Sequence, residues 1–254
     1  MSSYRDDGIV LRTQKLGEAD RIISLLTRRT GRVRAVAKGV RRTKSRFGGR
    51  LEPFTHVDLQ LHTGRSLDVI TEAQTLRPYG EPLATDYPRY TTGTAMLETA
   101  EKLTPVEKEP AIRQFLLLVG GLRALGEAAH DPRLVLDAYF LRSLAVAGYA
   151  PALDECAVCG TRAPDPGDPG ARPGLLRAFA VGAGGLVCRN CQVPGAATPS
   201  AATVGLMSAL LRGDWGYADA SERRHQVECS GLVAAYLQWH LEHSIRSLRH
   251  VEHA

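Results

Sequence analysis

Thr30-Gly31-Arg32-Val33-Arg34-Ala35-Val36-Ala37-Lys38 alternates with a period of two, and that period decides how the N-terminal third folds. Successive side chains of an extended strand point to opposite faces, so Val33, Ala35 and Ala37 share one side. Arg32, Arg34 and Lys38 share the other with Val36. A small apolar face against a core and a basic outer face is the expected result. Arg29-Thr30-Gly31-Arg32 is a tight-turn signal that joins this strand to the one before it.

Working outward, Ile9-Val10-Leu11-Arg12-Thr13 and Ile22-Ile23-Ser24-Leu25-Leu26-Thr27 read as preceding strands. Val57, Leu59 and Leu61 alternate in a fourth. Leu67, Val69 and Thr71 alternate in a fifth, after a turn at Thr63-Gly64-Arg65. Five short strands in residues 1–80 suit a small closed barrel of the OB-fold type, an architecture that removes sheet edges and commonly binds single-stranded nucleic acid.

Charge points the same way. The net charge of the 254 residues is only +5, but residues 1–80 hold 16 of the 32 Lys and Arg and 8 of the 27 Asp and Glu. That third therefore carries +8 and the remainder −3. Between Arg28 and Arg50 there is no acid at all. Arg32, Arg34 and Lys38 lie on the strand, and Arg41, Arg42, Lys44, Arg46 and Arg50 on the Gly39–Pro53 loop. Each cation brought to a phosphate releases a condensed counterion, so this run marks a polyanion-binding face. The loop is expected to be mobile and to settle on a phosphate backbone. Tyr4, Phe47, Phe54 and Tyr79 are the domain's few aromatics, and Phe54 reads as core. Such poverty favours binding by backbone charge over base stacking.

Past Pro78 and Pro82 the period changes to 3.6. Helices are expected at about Tyr90–Leu103 and along the stripe Ile112, Phe115, Leu116, Val119, Leu122, Leu125. Another should start at Asp131-Pro132, and two more cover Val204–Leu211 and about Val227–Arg249. Residues 81–254 thus form a helical domain. The fold class is α+β, an N-terminal OB barrel followed by helices, with a cysteine module inserted at about 153–195.

Cys156-Ala-Val-Cys159 and Cys188-Arg-Asn-Cys191 are two Cys-x-x-Cys pairs. Two such turns can complete a tetrahedral four-thiolate shell, the donor set of one structural zinc ion. The stretch between them is longer than the roughly 15–20 residues of a compact zinc ribbon. The excess is Pro164–Gly174, whose composition is that of a bulging loop. A redox pair is disfavoured by the second pair at matching spacing, and Cys229 reads as a small buried thiol. The start of the chain lacks a signal-peptide pattern, and no apolar run approaches the ~20 residues of a membrane span. A cytoplasmic, nucleoid-associated protein without membrane contact is expected.

No catalytic residues emerge. A zinc deaminase needs His-x-Glu before Pro-Cys-x-x-Cys, whereas His250-Val251-Glu252 follows the cysteines. Gly182–Gly185 lacks the Gly-Lys-Ser/Thr ending that grips phosphates. Two readings stand beside a DNA-binding protein: a zinc-ribbon protein that binds RNA or regulates transcription, and a zinc-dependent nucleic-acid-modifying enzyme.

The order of short motifs resembles a known family. Gly8-Ile9-Val10-Leu11, Leu16-Gly-Glu-Ala-Asp20, Thr30-Gly31 and Lys38-Gly39-Val40-Arg41 precede the helices, and Gly185-Leu186-Val187-Cys188 leads the last pair. The chain is similar over nearly its whole length to the RecO family of bacterial DNA repair proteins. Some members lack the cysteines, and the long Pro/Gly insertion departs from a minimal pattern. The resemblance implies a RecF-pathway recombination mediator, not an enzyme. Such a protein binds single- and double-stranded DNA, anneals complementary strands and, with RecR, promotes RecA loading on DNA coated with single-strand-binding protein. It also implies that the helical domain meets the acidic C-terminal tail of single-strand-binding protein. Arg113, Arg123, Arg133 and Arg142 are the basic positions on the relevant helices.

Overall fold

A computed structural model describes residues 2–162 and 175–241. Two sequence expectations, the Pro164–Gly174 loop and the end of the last helix beyond Leu241, lie outside the described residues. The chain divides into two compact units, Met1–Pro132 and Arg133–Ser244.

The first unit holds β1 (Ser3–Leu16), β2 (Asp20–Thr27), β3 (Gly31–Ala37), β4 (Thr55–His62) and β5 (Asp68–Pro78). They close into a barrel in the order β1-β2-β3-β5-β4. Closure depends on β1, which pairs with β4 along Ser3–Ile9 and with β2 along Gly8–Leu16 and has a register shift between Val10 and Arg12. Such a shift bends a strand from one partner to the next. The last seam, parallel between β3 and β5, is short: only Ala35 with Asp68 and Val36 with Val69 are paired. Val10, Ile23, Leu25, Val33, Ala35, Ala37, Val57, Leu59, Leu61 and Ile70 fill the interior.

Three expectations are corrected here. β1 begins at Ser3 rather than near Gly8. Its charged start is held because Asp6, 1% exposed, accepts hydrogen bonds from the Thr30 amide (2.9 Å) and hydroxyl (2.8 Å). In β5 the inward residues are Asp68 and Ile70, so the phase is the opposite of that read from Leu67, Val69 and Thr71. Asp68 turns inward because Tyr4 Oη (2.6 Å) and Lys108 Nζ (2.8 Å) both donate to its carboxylate. Finally, the Gly39–Pro53 loop is stapled rather than mobile. Phe47 and Leu51 are each 1% exposed and belong to the barrel core.

Helix α1 (Gly80–Leu83) is a short turn before α2 (Tyr87–Leu103), whose start is fixed by Asp86 accepting from the Arg89 amide at 3.0 Å. Helix α3 (Ile112–Glu127) buries Phe115, Leu118, Leu122 and Leu125, while Ile112 and Leu116 of the expected stripe stay exposed. Phe115 packs edge-on against His56 and beneath the Arg28 guanidinium, which ties α3 to the barrel.

The second unit contains α4 (Pro132–Val146), the strand pair β6 (Leu176–Ala180) and β7 (Gly185–Cys188), then α5 (Ala201–Arg212), α6 (Trp215–Asp219) and α7 (Arg223–Leu241). Ser230 donates to the buried Asp137 at 2.6 Å, joining α7 to α4. No described helix is long and apolar enough to cross a membrane.

Candidate nucleic-acid face and metal centre

The basic run divides according to what its cations touch. Arg32 is nearly covered, with 13% of its side chain exposed. Its Nε donates to the Thr104 carbonyl at 2.6 Å, its Nη2 to the Pro105 carbonyl, and Nη1 lies 3.7 Å from Glu107. Arg34 is 43% exposed, and its Nε donates to Oε1 of the same Glu107. The strand arginines therefore already have a carboxylate, one that lies far along the chain and that no local sequence pattern signals.

The loop cations do not. Lys38, which follows the end of β3 at Ala37 and so does not lie on the strand as expected, and Arg41, Arg42, Lys44, Arg46 and Arg50 are all exposed. Among the described residues none has a carboxylate within ion-pair distance. Their backbone is nevertheless held. The Gly39 amide donates to Asp20 Oδ1 at 2.7 Å, the Arg41 amide to the Ala19 carbonyl at 2.9 Å, and Arg41 Nη1 to the Glu18 carbonyl at 2.8 Å. Arg46 lies over the Phe47 ring at 4.9 Å, and Arg50 donates to the Arg46 carbonyl at 2.6 Å. Phe47 is thus an anchor and not a stacking platform, and Phe54 is buried too. What the barrel presents is a fixed crest of uncompensated positive charge, suited to a phosphate backbone.

In the second unit the two Cys-x-x-Cys turns meet. The sulfur atoms of Cys156, Cys159, Cys188 and Cys191 all lie within 4.8 Å of one another. The first turn closes with the Gly160 amide donating to the Cys156 carbonyl at 2.8 Å, and Gly160 takes a φ of 70°. The Ala157 amide donates to the Leu186 carbonyl at 2.8 Å, which hangs this turn on β7, the strand that carries Cys188. A short 3-10 turn from Arg189 then delivers Cys191.

The donor set fits a soft cation. Burial opposes ionising Cys156, yet amide donation from Cys159, Cys188 and Val158 outweighs it and brings the thiol down to about 6. Contacts with Cys188 and Cys159 push Cys191 up to about 12, because crowded sulfurs resist sharing negative charge. Four thiolates coexist there only around a positive ion. Ala178, Ala180 and Val187 are the buried apolar residues that cluster with the cysteines, a small core for a module of this size. Phe179 anchors it edge-on to Tyr236 of α7, and Tyr236 Oη donates to the Tyr149 carbonyl at 3.3 Å.

A third polar cluster, Ser200, Thr203, His225 and Glu228, carries nucleophile-like residues. Ser200 Oγ is 2.9 Å from His225 Nδ1. The Glu228 carboxylate, however, accepts from the Ser200 and Thr203 hydroxyls and does not orient the imidazole. Ser200 Oγ also accepts from the Thr203 amide at 3.1 Å, so the cluster caps α5 and ties it to α7. The basic positions noted on helices separate as Arg113 and Arg123 on α3, and Arg133 and Arg142 on α4. Arg123 faces Glu127 at 3.8 Å, and Arg142 Nε donates to the Leu210 carbonyl at 3.0 Å.

Comparison with known proteins bears on both halves. Residues 1–79 match the family described as recombination protein O N terminal, and residues 84–249 match recombination protein O C terminal. The chain is 70% identical over 254 residues to DNA repair protein RecO of Thermobifida fusca, covering all of both chains. It is 60% identical over 258 residues to DNA repair protein RecO of Streptomyces griseus, covering 99% of this chain and all of that one. DNA repair protein RecO of Frankia casuarinae is 57% identical over 254 residues, again the full length of both.

Proposed function

The chain belongs to the recombination protein O (RecO) family of DNA repair proteins, and from that premise we propose that it is a non-enzymatic recombination mediator. It binds single- and double-stranded DNA, anneals complementary strands, and with RecR promotes RecA loading on DNA coated with single-strand-binding protein. Residues 1–80 serve DNA. Residues 81–254 serve partners, among them the acidic tail of single-strand-binding protein, with the metal insertion at about 153–195. The setting is cytoplasmic and nucleoid-associated.

The observation that carries this reading is the crest of exposed cations, Lys38, Arg41, Arg42, Lys44, Arg46 and Arg50, without a carboxylate among the described residues. Arg32 and Arg34 extend the same face but are engaged by the protein itself. Phosphate contacts of this kind position a strand and carry no base information. Cys156, Cys159, Cys188 and Cys191 would hold one zinc ion, whose role is structural because a closed four-sulfur shell has no position for water or substrate.

The direct test is a salt titration of single-strand binding. Affinity that falls steeply with salt and is indifferent to sequence supports the reading. Preference for RNA or for one sequence favours the zinc-ribbon regulator, and metal-dependent covalent change in the DNA favours an enzyme.

A further inference from the structure

We propose that Glu107 is an internal stand-in for phosphate that withholds Arg34 from nucleic acid and so sets the affinity of the β3 face. The inference rests on the DNA-binding reading above. Its ground is the short β3–β5 seam: the first half of β3 pairs with β2 on one edge, and its other edge has no strand of the barrel beside it. The segment from Thr104 to Glu109 fills that place as a strap. Arg32 and Glu107 form a parallel bridge, and the Lys108 amide donates to the Arg32 carbonyl at 2.8 Å.

The strap is fixed along its length. Thr104 Oγ1 donates to the Ala100 carbonyl at 2.7 Å, and the Thr104 carbonyl accepts from Arg32. Lys108 Nζ donates to the buried Asp68 at 2.8 Å, and Gly31 packs directly on the Glu109 carbonyl. Glu107 is therefore pre-positioned, unlike a solvated surface acid whose pairing costs side-chain entropy. A carboxylate and a phosphate present the same charged oxygen acceptors to a guanidinium, so they compete for one donor. Arg32 is satisfied by two backbone carbonyls as well. Arg34 is the more exposed of the pair at 43% and takes its side-chain partner from Glu107 alone among the described residues. Releasing Glu107 thus frees one more cation on β3, four positions before Lys38 in the chain. Holding it keeps affinity below what the cation content allows and shortens the residence of a strand.

The experiment is a double-mutant cycle on the full chain, read by anisotropy of a labelled oligothymidine across a salt series. The variants are Glu107→Gln, Arg34→Gln and the two combined, with Lys38→Gln as an unpaired reference. The expected result is roughly fivefold tighter binding by Glu107→Gln at low salt, with a salt slope steeper by about 0.7. Arg34→Gln alone should change affinity less than about twofold, and the gain from Glu107→Gln should vanish in the double variant. Unchanged or weaker binding by Glu107→Gln overturns the proposal, while salt-dependent wild-type binding leaves the DNA reading intact. Should Glu107→Gln not fold, Arg34→Gln decides alone: a loss as large as that of Lys38→Gln overturns it. Wild-type protein that does not bind DNA overturns both.

Discussion

Cys159 Sγ lies 3.9 Å from Cys188 Sγ, although 29 positions separate them in the chain. With metal–sulfur bonds of about 2.3 Å, the edge of a tetrahedral four-sulfur shell is about 3.8 Å. These two sulfurs, on separate turns, come to that spacing because β7 carries Cys188 and, through the Leu186 carbonyl, the turn that holds Cys156 and Cys159.

Metal removal is expected to unfold the module. Such sites couple ion binding to folding, on the order of 10 kcal/mol for structural zinc peptides. Purified protein should hold about one zinc per chain by elemental analysis. Cys159→Ser and Cys191→Ser should each lose it, with new amide exchange confined to about residues 153–195. A variant that keeps both metal and exchange protection sinks the structural-zinc reading.

Replacing Arg41, Arg42, Lys44 and Arg46 with Gln should weaken DNA binding across all sequences. The salt slope for single strands should fall by about 0.7 for each phosphate that the loop no longer neutralises. Melting should move little, because these side chains pair with no acid among the described residues and lose only the exposed Arg41 bond to the Glu18 carbonyl and the Arg46 contact over Phe47. An unchanged slope removes the loop from the interface.

Phe47→Ala tests the staple under that loop. Phe47 is 1% exposed within the barrel core, and emptying such a site costs about 3–5 kcal/mol. The variant should unfold at clearly lower denaturant. Its DNA affinity, measured where it is still folded, should also fall, since the cations lose their fixed crest. A stable variant with wild-type affinity contradicts the anchoring role.

The order in which these features become legible follows from range. The alternation at Val33, Ala35 and Ala37 is local and burial-driven, and the structure keeps it in β3. The paired cysteines state their own chemistry. The phase of β5 is not legible locally, because an acid normally faces water. Asp68 faces inward only through Tyr4, 64 positions away, and Lys108. Phe47 reads as a free aromatic in the sequence because its partners are the distant strands of the barrel. Glu107 lies about 70 residues beyond the arginines that it engages, and no local signal links them.

Asp68 also sets an acid limit. Burial pushes its carboxyl up, but hydrogen bonds from Lys108, Tyr4 and the Gly64 amide outweigh that and hold it below the usual carboxylate value. A depressed folded value means the stabilisation is complete above about pH 4 and is lost as pH falls through the folded pKa. Urea midpoints should therefore drop in strong acid. Asp68→Asn should be less stable at pH 7 and show a shallower acid decline; an equal decline would shift the effect to other groups.

The proposed function requires this chain to join strands that another protein covers. The most direct measurement is annealing of complementary oligonucleotides coated with single-strand-binding protein, followed by fluorescence quenching. Wild-type protein should accelerate it, and the Arg41, Arg42, Lys44, Arg46 variant should lose most of that acceleration. Folded, metal-loaded wild-type protein that leaves the rate unchanged, or a loop variant that anneals as fast, would contradict it.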